Sequence, residues 1–185
     1  LANRLRYALL CEDIEQERLF RPLLEEVLHR RIHVEPRKPN GGFTFVLGNL
    51  KKAALYIRRY HKESVGLLVV VDGDRDGYRE RLARVREVLH EAGFQNEKPD
   101  RIAICIPTRN VETWELWLCG VSDLNETTDY KSRYQQEFRP QVRKGELVEK
   151  WLNTPLGRLE EEARCLPALV HGRAEIERLR RSSSD

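Results

Sequence analysis

Through the first 120 residues, apolar runs that suit strands alternate with apolar residues at helical spacing. Residues 5–11 form a short apolar run that ends in Glu12-Asp13. A helix is expected over 15–31, with Leu19, Phe20, Leu23, Leu24, Val27 and Leu28 on one face. Pro22 conflicts with an unbroken helix there and predicts a kink, or a start nearer Phe20. Residues 32–35 read as a brief second strand. A helix over 50–62 follows, with Asn49 as its cap. The strongest strand is 66–71, Gly-Leu-Leu-Val-Val-Val, apolar on both faces as a central parallel strand must be. A charged amphipathic helix over 79–92 carries Leu82, Val85, Val88 and Leu89. Residues 101–106 make a further strand closed by Pro107, and Asn110 caps a helix through Val111, Trp114, Leu118 and Cys119. Trp114 and Trp117 belong to the core on this pattern.

After residue 121 the strand signal ends. Residues 123–136 are polar, 146–153 and 158–181 read as helices, and the second is interrupted near Pro167 and Gly172. A disordered end is expected over 182–185. Strand–helix repetition predicts an α/β fold with a mostly parallel, doubly wound sheet flanked by helices. The expected division is a domain of residues 1–120 and a helical C-terminal extension, 121–185, packed on it.

Composition narrows the class. A chain of 185 residues with 40% apolar side chains buries a real core but has no room for a multi-domain polymerase, topoisomerase or motor. No apolar run approaches the length of a membrane span, and the N-terminal Leu-Ala-Asn-Arg-Leu-Arg has no apolar signal region. Cys11, Cys105, Cys119 and Cys165 form no CxxC pair, which favours reduced thiols in a cytoplasmic protein.

The net charge of +3 conceals a segregation. Between residues 37 and 62 lie Arg37, Lys38, Lys51, Lys52, Arg58, Arg59 and Lys62, with no Asp or Glu. The rest of the chain carries 26 basic against 30 acidic side chains. On the expected helix, Lys51, Lys52, Arg58, Arg59 and Lys62 share one face opposite Leu50, Ala53, Ala54, Ile57 and Tyr60. Such a face is either a solvated surface or a contact for the phosphate backbone of a nucleic acid.

Acids collect where a parallel sheet binds ligands, at the carboxyl ends of its strands. Glu12 and Asp13 follow the first strand, with Glu15 a turn later. Asp72, Asp74 and Asp76 follow the central strand as Asp-Gly-Asp-Arg-Asp-Gly, and Glu112 opens the helix after the last strand. Carboxylates gathered there repel one another unless a cation neutralises them, and hard oxygen donors favour Mg²⁺ or Mn²⁺ over Zn²⁺. For Glu15, Glu17 and Glu112 a first-turn acid on a helix dipole is the competing explanation. The Asp72–Gly77 segment opens like an EF-hand loop, but Ala83 stands where the bidentate Glu is required, and a strand precedes it. A haloacid-dehalogenase phosphatase would place its Asp-x-Asp after the first strand.

Glu12 after strand one and Asp72-Gly-Asp74-Arg-Asp-Gly77 after a central strand resemble the Toprim domain, over roughly residues 5–120. Glu12-x-x-Glu15 is similar to the opening motif of OLD-family nucleases, although Asp13 replaces the usual Gly. The resemblance implies that Glu12, Asp72 and Asp74 bind Mg²⁺; Asp76 is a further candidate metal ligand, and Glu15 and Glu112 are expected as further ligands or water-orienting groups. It implies a metal-dependent nuclease acting on DNA before RNA, in which Arg75 or Arg109 would stabilise charge on the scissile phosphate and the basic helix would hold the strand. It equally allows a non-catalytic or regulatory Toprim-like module working with a partner ATPase. A nucleotidyl- or glycosyltransferase using Asp-x-Asp lacks a Gly-rich phosphate loop here. Residues 121–185 are left with three roles: forming a homodimer, covering the site or binding a partner.

Overall fold

The computed structural model describes residues 7–29, 32–34, 41–60, 65–96, 101–140 and 143–182. Four parallel strands, β1 (Tyr7–Cys11), β2 (Ile32–Val34), β3 (Gly66–Val70) and β4 (Ile102–Cys105), lie in the order β2-β1-β3-β4. Helix α1 (Ile14–Leu28) joins β1 to β2 on one side of the sheet. Helix α2 (Gly42–Arg59) returns the chain past β1 to β3 on the other face, and α3 (Gly77–Glu91) joins β3 to β4. The strand order therefore reverses between β1 and β3, which is where an open α/β sheet leaves a crevice.

Alternation along the strands builds two apolar layers. Leu9, Cys11, Leu68, Val70, Ala103 and Cys105 point into the layer under α1 and the C-terminal helices. Leu10, Leu67, Val69, Val71, Ile102 and Ile104 point to α2 and α3. All five residues of β3 are buried, as its unbroken apolar run requires.

Helix α1 is continuous through Pro22. Asp13, in extended conformation, caps it by accepting the backbone N–H groups of Glu15 and Gln16. Burial of Leu19, Phe20, Leu23, Leu24 and Val27 offsets the ~3 kcal/mol that an interior proline costs. Helix α2 begins eight residues before the expected start at Leu50, because Phe43 and Val46 extend the buried stripe of Leu50, Ala54 and Ile57. Asn49 lies inside it and donates to the Phe45 carbonyl (2.9 Å) instead of capping.

Beyond α4 (Val111–Leu118) the described residues form only helices. These are α5 (Lys131–Arg133), a π-helical turn (Tyr134–Phe138), α6 (Lys144–Asn153), α7 (Leu156–Glu162) and α8 (Pro167–Arg181). The expected helix over 158–181 is thus two helices, and Pro167 starts the second. Gly172 does not interrupt α8; a Cβ there would come within 2.6 Å of the Trp114 ring, so the glycine lets α8 close on α4. Trp114, Trp151 and Phe20 meet edge to face and lock α4, α6 and α1 together. Helix α8 also covers the exposed edge of β4: Glu175 accepts the Ile104 N–H and Arg178 donates to the Ile102 carbonyl. Ser182 closes α8, and the remainder of the expected disordered end lies outside the described residues. No helix among the described residues is long and apolar enough to cross a membrane, and all four cysteines are free thiols.

The parallel ladder continues past β3 and β4 into the loops that follow. Val71, Gly73 and Asp74 donate their N–H groups to the carbonyls of Cys105, Pro107 and Arg109. A Cβ on Gly73 would lie 2.1 Å from the Thr108 carbonyl oxygen, so only glycine permits this approach. Gly73→Ala is expected to cost about 1–3 kcal/mol through forced backbone movement. Urea denaturation should show a lower midpoint at unchanged slope; a wild-type midpoint would mean that the two loops are not held in register here.

Candidate active site at the carboxyl ends of the strands

Glu12 leaves β1 and Asp72 leaves the β3 run at neighbouring positions across the switch point. Glu12 is 7% exposed and Asp72 6%. The two are tied directly: Glu12 Oε1 accepts the Asp72 backbone N–H at 2.9 Å. Gln16, one turn into α1 and fully buried, accepts the Glu12 N–H through Oε1 (2.8 Å). The Gln16 amide also favours the Asp72 carboxylate without reaching it at hydrogen-bond geometry. Glu112, on the first turn of α4, completes the buried group at 2% exposure. Asp72 Oδ1 and Glu112 Oε2 are buried with no hydrogen-bond donor.

Each of these acids is pushed toward its neutral form. Burial raises the Glu12 carboxyl to about 7; the Asp72 N–H and Arg81 oppose this, and Asp74 and Asp13 add to it. Burial likewise raises Glu112 to about 7, against its own backbone N–H and Lys131, with Glu115 and Asp13 adding. Asp72 lies well above the carboxylate range, first from burial and then from the charges of Glu12, Glu112 and Asp13. Three buried acids that disfavour one another's charge form a single electrostatic unit.

The remaining expected site residues are placed differently. Asp74 and Asp76 turn toward Arg81, at 3.4 and 3.0 Å, and their side chains are 55% and 42% exposed. Asp74 holds a left-handed backbone (φ 50°), a conformation that Asp tolerates better than most residues. Glu15 pairs with Arg18 (2.8 Å) and Arg139 (2.6 Å). Arg75 is exposed on the acidic loop. Arg109 is half-buried, 3.7 Å from Asp129, and its carbonyl receives the Asp74 N–H.

Two cations outside the sequence expectation complete the site. Arg81 on α3 is 8% exposed, stacks over Phe43 at 4.0 Å, and reaches the Gly73 carbonyl as well as Asp74 and Asp76. It lies four residues beyond the Asp-Gly-Asp-Arg-Asp-Gly segment, one helical turn on, and that spacing is the signal that points to it. Lys131 faces the acids from α5. Partial burial acts to weaken its hold on the proton, but Glu112, Asp13, Asp72 and Asp129 together outweigh this and keep the ammonium charged.

The basic face of α2 lies elsewhere. The helix begins at the acids, where the Gly41 N–H meets the Glu12 carbonyl at 3.4 Å, and runs away from them. At 1.5 Å per residue, Lys51 is about 13 Å and Arg58 about 24 Å along it from Gly42. Lys51 pairs with Glu91 (2.9 Å) and Arg58 donates to the Ala92 carbonyl (3.1 Å), both at the far end of α3. Lys52 and Arg59 are exposed, and Arg59 also lies 5.7 Å over the Tyr60 ring. Arg37, Lys38 and Lys62 fall outside the described residues.

Among the described residues, no group of three His, Cys, Asp or Glu side chains is arranged to hold a metal ion as it stands. The donor set nevertheless suits a hard divalent cation: carboxyl oxygens only, two of them orphaned, with mutual repulsion that a cation would offset. The metal-free protein should register that repulsion as a pH dependence. Glu12 and Glu112 hold protons in the folded state up to about 7 but release them near 4.5 when unfolded. Stability in EDTA is therefore highest below pH ~4.5 and falls as pH rises toward ~7, insofar as these groups set it. Thermal unfolding across that window should show the fall, and Glu12→Gln with Glu112→Gln should flatten it. A wild-type slope retained in the double variant would assign the effect to other groups.

Comparison of the chain with protein-family models, curated proteins and solved structures finds no match, and its function is inferred from its own residues.

Proposed function

We propose that this chain is a divalent-metal-dependent nuclease of Toprim-like type that hydrolyses phosphodiester bonds in DNA, with RNA as the alternative substrate. The observation that carries the reading is the hydrogen-bonded meeting of Glu12 and Asp72 at the β1–β3 switch point, with Glu112 buried beside them. The two motifs of the Toprim resemblance thereby come to the ends of adjacent strands. Asp13, the departure from the family pattern, has its own task as the α1 cap.

Glu12 and Asp72 would hold Mg²⁺ or Mn²⁺, with Glu112 buried beside them and Asp74 on the loop that follows Asp72. The chemistry such an ion supplies is activation of water and neutralisation of charge on the phosphate. Glu112, buried beside the pair with one oxygen unpartnered, is placed to take a proton from an attacking water. Lys131 presents a fixed positive charge to the same space, suited to a phosphate oxygen that gains charge in the transition state. Arg81 positions the acidic loop, and Arg75 and Arg109 lie on the two loops that frame the site.

Arg81 also favours a second reading, because Asp74 and Asp76 are already engaged by it. That is a non-catalytic or regulatory Toprim-like module acting with a partner ATPase. The two readings separate in one set of measurements on purified protein with plasmid, single-stranded DNA and RNA. Wild type should cleave with Mg²⁺ or Mn²⁺ and not in EDTA. Asp72→Asn should abolish cleavage, and Lys131→Met should slow it by roughly 10²–10³-fold. Calorimetric titration should find a Mn²⁺ site in wild type that Asp72→Asn loses. Equal background cleavage by wild type and Asp72→Asn, with no Mn²⁺ heat, would leave the regulatory reading.

A further inference from the structure

A concavity lies beside the loops that follow β3 and β4. It has a volume of about 340 Å³ and is lined by Tyr78, Arg79, Thr108, Glu126, Pro167, Ala168 and His171. Tyr78 directly follows Gly77 at the end of the acidic loop. Thr108 belongs to the loop that the Gly73 and Asp74 N–H groups bind, and its carbonyl packs against Gly73. One lining residue thus follows the loop that carries Asp72, and another lies on the loop that leads to Glu112.

Its chemistry is that of a stacking site. The Tyr78 and His171 rings meet edge to face, 5.7 Å between centroids at 89°, and Pro167 and Ala168 add apolar surface. Burial raises the Tyr78 hydroxyl above its usual range against the pull of Arg86, so it remains an O–H donor at neutral pH. Glu126 fixes the floor: it accepts the Thr108 hydroxyl (2.6 Å) and the Ala168 N–H (2.7 Å), pinning the start of α8 to the loop after β4. Arg79, exposed on the first turn of α3, brings a positive charge to the rim. The volume stands at the small end of ligand pockets, roughly 300–1,000 Å³, and suits one base with its sugar but not a duplex.

The geometry points to this cleft as a subsite for one unpaired nucleobase of the strand whose phosphate lies at the Glu12–Asp72–Glu112 cluster. It rests on the nucleic-acid reading of that cluster, and it makes the substrate a single strand, or a duplex in which a base has been freed from its stack. Aromatic and apolar walls receive the base, and Arg79 meets the backbone.

The test is binding in EDTA, where no cleavage step enters. The full chain is titrated with a labelled single-stranded oligonucleotide and with the same backbone carrying abasic residues. The base-bearing strand should bind on the order of tenfold more tightly. Tyr78→Ala and His171→Ala should each erase that preference, while Arg79→Ala should weaken both strands alike. Because Tyr78 is half-buried and its removal could unfold the chain, a strand bearing 5-iodouracil is also photo-crosslinked to wild-type protein; the adduct should map to Tyr78 or His171. Equal affinity of wild type for the two strands, a preference that survives in both variants, or an adduct elsewhere would overturn the subsite. Those results leave Asp72-dependent cleavage standing if it is observed. Conversely, a base preference without Asp72-dependent cleavage would retain the subsite and sink the nuclease.

Discussion

The structure depends on one hydrogen bond between a side chain and a backbone, from the Asp72 N–H to Glu12 Oε1. It joins the ends of two adjacent parallel strands at the point where the strand order reverses. Hydrogen bonds to charged groups contribute roughly 1.5–3 kcal/mol, and an unsatisfied buried carboxylate costs more than that. The bond therefore holds only if everything around it is held as well. The Asp13 cap sets the first turn of α1, so that Gln16 can take the Glu12 N–H. The continued ladder from Val71 to Asp74 sets the second loop against the third. Asp72 Oδ1, Glu112 Oε2 and Gln16 Nε2 are among the buried polar atoms left unsatisfied after these supports are in place.

Charge is arranged around that bond in two shells. Arg81 lies under Phe43 and the acidic loop, and pairs with Asp74 and Asp76. It offsets part of the repulsion among the loop acids and occupies two of them. Lys131 acts on Glu112 and Asp72 from an exposed position. The described cations of the +7 segment, Lys51, Lys52, Arg58 and Arg59, are not part of either shell. Its helix starts at the acids and carries its cations to the other end of the sheet, where two of them bind the end of α3. Segregation of charge along the chain was real, but its direction in space followed from helix polarity.

Much of this was legible in the residues because it rests on local patterns. The apolar run of β3, the acids directly after it and the strand–helix alternation all follow from period and position. Glu12, Asp72 and Glu112 could be picked out because a parallel sheet sends the ends of its strands to one edge. What escaped was set by partners distant in sequence. The start of α2 depended on Phe43 and Val46 finding the core beneath them. Pro22 broke no helix because the face around it was buried. Gly172 looked like a breaker and proved to be the contact for Trp114. Lys131 stood in a segment with no periodicity, and its importance arises only from its proximity to Glu112.

The residues beyond 120 consequently belong to the site as much as to the periphery. Asp129 receives the Asn110 amide at 2.9 Å and Arg109 at 3.7 Å, which ties the segment before α5 to the loop that leads into α4. Arg139 reaches back to Glu15 across 124 positions of sequence. Glu126 links the β4–α4 loop to α8, and α8 in turn covers the edge of β4. Apart from the α8–β4 contact, each of these ends on a loop or first turn that carries an acid or lines the cleft. A parallel sheet gathers carboxylates at one edge by topology, and α3 adds Arg81 beside the loop acids, but the cation that acts on Glu112 and Asp72 comes from outside it. Here the C-terminal segment supplies that cation and the far wall of the cleft. The fold of the first 120 residues brings the acids together, and the remainder determines what they face.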